Sequence, residues 1–138
     1  MMDNKIEYQL YSKSVSDLLL IYQMIEDSLK LYIEYSCKLV KIHLPKNLPF
    51  NFTGKEYENA ALGALIKAFS KFSYNDALIE ELKNLQTKRN FIAHRALVDF
   101  MENGESKDDM SELKGTAWLT FTKVQAELSI LDKRIRNA

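Results

Sequence analysis

The chain contains few of the residues that build loops and cross-links. Its 138 residues include four glycines, two prolines and one cysteine, Cys37. So little glycine and proline argues against a loop-built chain, and an apolar share of 46% argues against disorder. A single cysteine excludes an internal disulfide and a multi-cysteine zinc site, and it fits a reducing compartment. We therefore expect a protein of the cytoplasm.

An excess of charge of one sign is also missing, as are long apolar runs. Nineteen Lys and Arg residues balance nineteen Asp and Glu residues, so a bound polyanion would need a local positive patch. No stretch approaches the roughly 20 apolar residues that span a bilayer, so no membrane partner is expected. The two histidines, His43 and His94, are isolated from each other, and the sequence predicts no metal and no cofactor.

Residues 1–138 are predicted to form a single helical domain, since this length suits one core. Apolar residues from Ser16 to about His43 recur at three- and four-residue steps, which is the spacing of one helical face. The residues before them either extend this helix or form a short separate one, with Ser14 or Ser16 as a cap. Residues 44–54 contain both prolines and are expected to form a loop.

Three further helices are predicted after this loop. Thr53 and Glu56 resemble a capping box, which begins a second helix of about five turns. Asn75 and Asp76 can cap a third helix that continues to about Met101. The fourth helix carries an apolar seam made of Ala117, Phe121, Val124, Leu128, Leu131 and Ile135. The sequence therefore predicts an all-α, up-and-down bundle of four main helices.

Polar residues interrupt the apolar faces of the third helix. Its main apolar row lies within roughly 40° of one direction on the helical wheel, and Arg89 falls in the middle of it. The row consists of Leu78, Leu82, Leu85, Ile92 and Ala96. Asn90 and His94, one turn apart, are set into a second stripe of Ile79, Leu97, Val98 and Met101. A second copy of the chain can cover this second stripe, so we expect a homodimer.

The wheel alone does not bring Arg89 and His94 together. They lie roughly 140° apart, so they meet at one ligand only if the arginine wraps round the helix or the helix distorts. Either residue can instead lie at the surface or pair with a carboxylate such as Glu26 or Glu81.

A run of positive charge surrounds these polar residues. From Lys83 to Arg95 the chain holds four cations, Lys83, Lys88, Arg89 and Arg95, and no carboxylate. In a chain without net charge, this run predicts a local cationic patch. Lys83, Lys88 and Arg95 are therefore candidate substrate-binding residues.

The third helix also carries a short motif that resembles a known family. Arg89 and the polar Asn90 are followed by His94, which looks like the R-x4-6-H motif of HEPN domains. The predicted bundle resembles the HEPN fold, and "MIEDSLKLYI" in the first helix and "ALGALI" in the second are similar to stretches common in that family. The resemblance covers nearly the whole chain, although only the motif is specific.

The resemblance implies a function and partners. Many HEPN proteins are metal-independent endoribonucleases of toxin-antitoxin or anti-phage defence systems, and they form dimers that bring two motifs together. It implies an RNA substrate, a homodimer, and catalytic roles for Arg89, Asn90 and His94. A partner antitoxin or nucleotidyltransferase is also implied. The tyrosine that such a transferase modifies, two residues after the histidine, is here Ala96, so modification at that position is not expected.

The chemistry of RNA cleavage explains these residue types. Attack of a ribose 2′-hydroxyl on the neighbouring phosphate needs a proton acceptor, a proton donor and positive charge near the phosphorane. His94 can move protons near neutral pH, and Arg89 can hold two phosphate oxygens at once. Asn90 can orient the imidazole or bind a phosphate oxygen. Because HEPN proteins also include members that only bind nucleotides or a protein partner, a non-catalytic helical module is the alternative function.

Overall fold

The computed structural model of the protein describes residues 4–94, 98 and 110–138. Over these residues the chain forms four α-helices, one short 3-10 turn and no strand. The helices are α1 (Asn4–His43), α2 (Leu62–Ser70), α3 (Asp76–His94) and α4 (Met110–Arg136), and the 3-10 turn spans Lys55–Tyr57. None of these helices, as far as it is described, is both long and apolar enough to cross a bilayer. The prediction of an all-helical fold with four main helices is confirmed.

Helix α1 answers the question left open for the N-terminal residues. It runs without interruption from Asn4 to His43, so the residues before Ser16 extend the helix. Neither glycine nor proline occurs in these 40 residues, and nothing in the local sequence breaks the helix. Its buried face consists mainly of Val15, Leu18, Tyr22, Ile25, Leu29 and Ile33, and it also contains the carboxylate of Glu26.

The predicted capping box forms, but it closes a short turn. The Glu56 carboxylate accepts hydrogen bonds from the N–H groups of Thr53 (3.2 Å) and Gly54 (2.8 Å). The Thr53 hydroxyl accepts one from the N–H of Lys55 (3.3 Å). These bonds stabilise the 3-10 turn, whereas α2 begins only at Leu62 and has 9 residues. The prediction of about five turns is wrong, because a helix of this length makes only about two and a half turns.

Side-chain contacts show that α1 and α4 run parallel. Lys114 Nζ of α4 lies 3.9 Å from Asp17 Oδ2 of α1. Further along both helices, Gln125 Nε2 donates a hydrogen bond of 2.6 Å to Ser28 Oγ. The two residues of each pair are separated by 97 positions, so both helices advance in the same direction.

Helix α3 runs antiparallel to α4. Asn75, directly before α3, donates a hydrogen bond from Nδ2 to Glu127 Oε1 (2.7 Å). Later in α3, Glu81 pairs with Lys123, which lies earlier in α4 (2.6 Å). Residues later in α3 thus contact residues earlier in α4, so these two helices are antiparallel. Because α4 is parallel to α1, α3 is antiparallel to α1 as well.

Helix α2 is parallel to α1, so the bundle is not a simple up-and-down bundle. Gly63, near the start of α2, packs against the side chain of Gln86 in the second half of α3. The start of α2 therefore lies beside the later part of α3, so these neighbouring helices are antiparallel. The connection from α1 to α2 therefore travels back along α1, and Gly54 lies against the backbone of Glu34 on the way. The up-and-down prediction is wrong at this connection, because residues 44–61 are long enough to return along a helix and contain two prolines.

The core face of α3 agrees with the sequence pattern. Leu78, Leu82, Leu85 and Ile92 of the main row are buried. Ile79, which the sequence pattern assigns to the second stripe, is buried in the same core of the single chain, so it does not need a second copy to cover it. Ala96, Leu97 and Met101, which belong to the two predicted stripes, lie outside the described residues. Val98 of the second stripe is described, and 51% of its surface is exposed.

Candidate functional site at Arg89

Arg89 lies between α3 and α1, where it pairs with a buried carboxylate. Its Nε atom is 3.5 Å from Oε1 of Glu26, whose side chain is only 10% exposed. The other carboxylate considered as a partner, Glu81, pairs with Lys123 of α4. A buried carboxylate is stable only beside a cation, because removal from water penalises its charge. Arg89 therefore interrupts the apolar row of α3 where Glu26 interrupts the apolar row of α1.

The side chain of Arg89 is enclosed on one edge and open on the other. Its Nε atom has no contact with solvent and no hydrogen-bond partner among the described residues, yet 36% of the side chain is exposed. The exposed part therefore consists of other atoms of the side chain. A guanidinium carries five N–H donors, and among the described residues only the Glu26 carboxylate forms an ion pair with it, at 3.5 Å from Nε. Such a group can bind an anion from the solvent side.

Tyr22 lies one turn before Glu26 on α1, beside this pair. Its hydroxyl is buried and has no hydrogen-bond partner among the described residues. Burial raises the pKa of Tyr22 to about 12, and the positive charge of Arg89 opposes this rise. The phenol is therefore neutral at physiological pH, and it can donate a hydrogen bond but cannot serve as a base.

Two of the three predicted catalytic side chains are described. Asn90 is exposed directly after Arg89 on α3. The backbone of His94 is the last described position of α3, about 7.5 Å from Arg89 along the helix axis. Its imidazole, and the whole of Arg95, lie outside the described residues. A shared site of Arg89, Asn90 and His94 therefore stays a prediction.

The two described lysines of the predicted cationic patch lie near carboxylates. Lys83 Nζ is 3.4 Å from Glu80 Oε1, and both side chains are exposed. Lys88 lines a cleft of about 280 Å³ between α3 and α4, together with Glu81 and Glu112. Packing thus brings acidic side chains next to a stretch of sequence that has none. The local positive charge is smaller than the sequence pattern alone indicates.

The sequence does contain a signal for the buried pair. Glu26 interrupts an apolar row on one helix, and Arg89 interrupts an apolar row on another. Two opposite charges that both belong to core faces indicate a cross-helix ion pair. Tyr22 carries no comparable signal, because a tyrosine at core spacing is typical of any helix interior.

The fold and the site define an all-helical protein with a buried Glu26–Arg89 pair between its central helices. Among the residues described, no group of three or more His, Cys, Asp or Glu side chains is placed to hold a metal ion. The chain matches no family model, no curated protein and no solved structure.

Proposed function

We propose that this protein is a metal-independent endoribonuclease of the HEPN type. The observation that supports this most is the state of Arg89. Glu26 lies 3.5 Å from its enclosed Nε atom, while part of the side chain faces solvent on the helix that also carries His94. A cation fixed in this way is prepared to bind a phosphate without losing much side-chain freedom.

In the proposed reaction the nucleophile belongs to the RNA. The ribose 2′-oxygen attacks the adjacent phosphorus, and the bond from phosphorus to the 5′-oxygen breaks. One imidazole accepts the proton of the 2′-hydroxyl, and a protonated imidazole gives a proton to the leaving 5′-oxygen. Arg89 stabilises the negative charge of the phosphorane. The products carry a 2′,3′-cyclic phosphate end and a 5′-hydroxyl end, and no metal is required to generate the nucleophile.

Each chain carries one His94, so the second imidazole of the proposed site comes from a second chain, and a homodimer completes the site. A two-fold axis beside α3 places His94 of both protomers near one phosphate. The exposure of Val98 supports this arrangement, because an uncovered apolar side chain close to the motif offers a surface for a second copy. Asn90 orients the imidazole or binds a phosphate oxygen. Neighbouring phosphates bind Lys83, Lys88 and Arg95.

The biological setting that we propose is toxin-antitoxin or anti-phage defence in the cytoplasm. An antitoxin or a nucleotidyltransferase is the expected partner. This part of the proposal is supported by the resemblance of the motif at Arg89 and His94, and not by a contact in the fold.

A second candidate function is a non-catalytic module that binds nucleotides or a protein partner. The observation that favours it is the same ion pair, since Glu26 already gives Arg89 a structural role. Under this alternative the exposed edge of Arg89 binds an anion, and no bond in RNA is cut.

The test is incubation of the purified protein with mixed single-stranded RNA and tRNA in excess chelator. We expect the unmodified protein to cut and to leave cyclic phosphate ends. His94→Ala should be at least about 100-fold slower, because general acid–base catalysis contributes that much or more. Lys71→Gln, which changes an exposed residue after α2, is the matched control and should cut normally.

Variants of Arg89 need their own control, because loss of this cation leaves Glu26 buried without a partner. Arg89→Lys keeps the positive charge but loses the planar fork, so we expect a folded protein that cuts more slowly. Arg89→Gln combined with Glu26→Gln removes both charges together. If His94→Ala cuts as fast as the unmodified protein, or if the folded dimer cuts no RNA, the nuclease proposal is wrong.

A further inference from the structure

Two cavities meet over the C-terminal half of α1, away from Arg89. One has a volume of about 300 Å³ and lies between α1 and the residues around the 3-10 turn. The other, of about 340 Å³, lies between α1 and the start of the returning connection. Lys41 lines both cavities, so they form one continuous surface, which we name the lysine groove. Its lining includes Lys38, Lys41, Lys46, Lys55, Phe50 and Phe52.

The lysine groove concentrates positive charge in a chain that has no net charge. All four lysines are exposed, and none forms an ion pair within the described part of the chain. One carboxylate, Glu34, also lines the groove. The nearby Glu56 turns its carboxylate toward the N–H groups of Thr53 and Gly54. Four cations therefore share this surface with two carboxylates, Glu34 and Glu56, which leaves an excess of positive charge that attracts a polyanion.

One exposed aromatic ring, Phe52, and one half-buried ring, Phe50, accompany these lysines. Phe52 is 65% exposed, so most of its ring is available for a contact. Its ring lies 5.7 Å from that of Phe50, and the two rings are tilted by 58°. Every nucleic-acid base presents a flat face, so an exposed phenylalanine beside lysines suits stacking on an unpaired base.

We propose that the lysine groove binds single-stranded nucleic acid, with the lysines on the phosphates and Phe52 stacked on a base. Stacking and phosphate contacts are both tolerant of sequence, so this surface binds without strong base preference. Lys38 lies about 18 Å along α1 from Glu26, because each helical residue adds about 1.5 Å. The groove is therefore separate from the Arg89 site, and its binding does not depend on cleavage there.

The test is a titration of the full protein against a fluorescent 2′-O-methyl oligouridine of about twelve nucleotides, a length within the range of single-strand sites. The methyl group blocks attack by the 2′-oxygen, so the proposed nuclease cannot consume the probe. We expect Phe52→Leu to bind at least about fivefold more weakly, with an unchanged salt dependence. Lys38→Gln with Lys41→Gln should weaken binding and reduce the log–log salt slope by about 1.4, or about 0.7 per lost phosphate contact.

The matched control is Lys67→Gln with Lys71→Gln, which removes two exposed lysines of the α2 region. It should leave affinity and slope unchanged. If it weakens binding as much as the groove variant does, the attraction is general and the proposal is overturned. If Phe52→Leu binds normally and polyglutamate competes as well as the oligonucleotide, the groove binds an acidic protein segment and the proposal is also overturned.

The two proposals fail in different ways. Strong binding of the methylated strand by a protein that cuts no RNA supports the lysine groove and counts against the nuclease. Normal cleavage by the variant that lacks Lys38 and Lys41, together with unchanged binding, supports the nuclease and counts against the groove.

Discussion

The Nε atom of Arg89 on α3 lies 3.5 Å from the Oε1 atom of Glu26 on α1, and each residue interrupts an otherwise apolar row of its own helix. Glu26 is buried, so its carboxylate would lose its hydration without the arginine, whereas the partly exposed guanidinium keeps part of its own hydration. The pair therefore fixes how α1 and α3 lie against each other.

Loss of Arg89 alone should be more damaging than loss of both charges. We expect Arg89→Ala to lower the free energy of unfolding by about 3 kcal/mol, the lower end for one member of a buried pair, because part of its side chain is exposed. The Glu26→Gln, Arg89→Gln double variant should lose less, because no charge remains buried. Urea denaturation of both variants measures the difference. A loss below about 1 kcal/mol for Arg89→Ala would contradict a structural role for the pair.

Removal of the Tyr22 hydroxyl should not weaken the protein. This hydroxyl is buried and has no hydrogen-bond partner among the described residues, and an unsatisfied buried polar group costs about 1–3 kcal/mol. We therefore expect Tyr22→Phe to be as stable as the unmodified protein or more stable by about 1 kcal/mol. Tyr32→Phe is the contrasting variant, because Ser73 interacts with the Tyr32 hydroxyl and lowers its pKa, so loss of this hydroxyl should be destabilising. Thermal unfolding of the two variants measures both effects. A clear loss of stability in Tyr22→Phe would show that the Tyr22 hydroxyl has a hydrogen-bond partner.

Alkaline pH should destabilise the protein through Tyr22. Burial raises the pKa of this phenol from 10.0 to about 12, so between these values the folded chain keeps a proton that the unfolded chain loses. The free energy of unfolding therefore falls as the pH rises from 10 to 12. Tyr22→Phe should lose less stability over this interval, as measured by urea denaturation at several pH values. Tyr74→Phe, which removes a fully exposed phenol, is the matched control, and an equal effect of both variants would exclude burial of Tyr22 as the cause.

Two glycines should respond in opposite directions to alanine. Gly54 has a φ of +89°, and a Cβ there would lie 2.6 Å from the Cα of Glu34, so Gly54→Ala is expected to destabilise the chain. Gly115 lies in α4 with nothing within 4 Å of its Cβ position. Gly115→Ala should stabilise the protein by about 0.5–1 kcal/mol, since alanine favours the helix. The unfolding midpoints of the two variants measure these effects. If the midpoint of Gly54→Ala rises as that of Gly115→Ala does, the connection does not pass against Glu34.

The helices themselves could be predicted because their signals are local. The apolar rows of α1, α3 and α4 follow helical spacing, and Asn75 caps α3 through a hydrogen bond from the Leu78 N–H to its Oδ1 (3.1 Å). The capping box at Thr53 and Glu56 was also readable from the sequence. The element that this capping box stabilises could not be predicted, because the hydrogen bonds that begin a helix can equally close a single 3-10 turn.

Helix direction and side-chain partners depended on packing. Residues 44–61 return along α1, so that α2 runs parallel to α1. Nothing in their local sequence distinguishes this path from a short turn that would make α2 antiparallel to α1. The choice of Glu26 over Glu81 as the partner of Arg89 depended on which helix faces which. The lysine groove arose the same way, since Lys38 and Lys41 belong to α1 while Lys46 and Lys55 belong to the connection.

The sequence by itself determined that this protein is helical, where most of its helices lie, and that a cation and a carboxylate interrupt apolar rows. These properties depend on the order of residues within a few turns of helix. Only the tertiary structure decided that Arg89 meets Glu26, that the bundle departs from an up-and-down order, and that four lysines and two phenylalanines share one groove. The physical reason is that these relationships join residues far apart in the chain, and burial of the whole core selects them together.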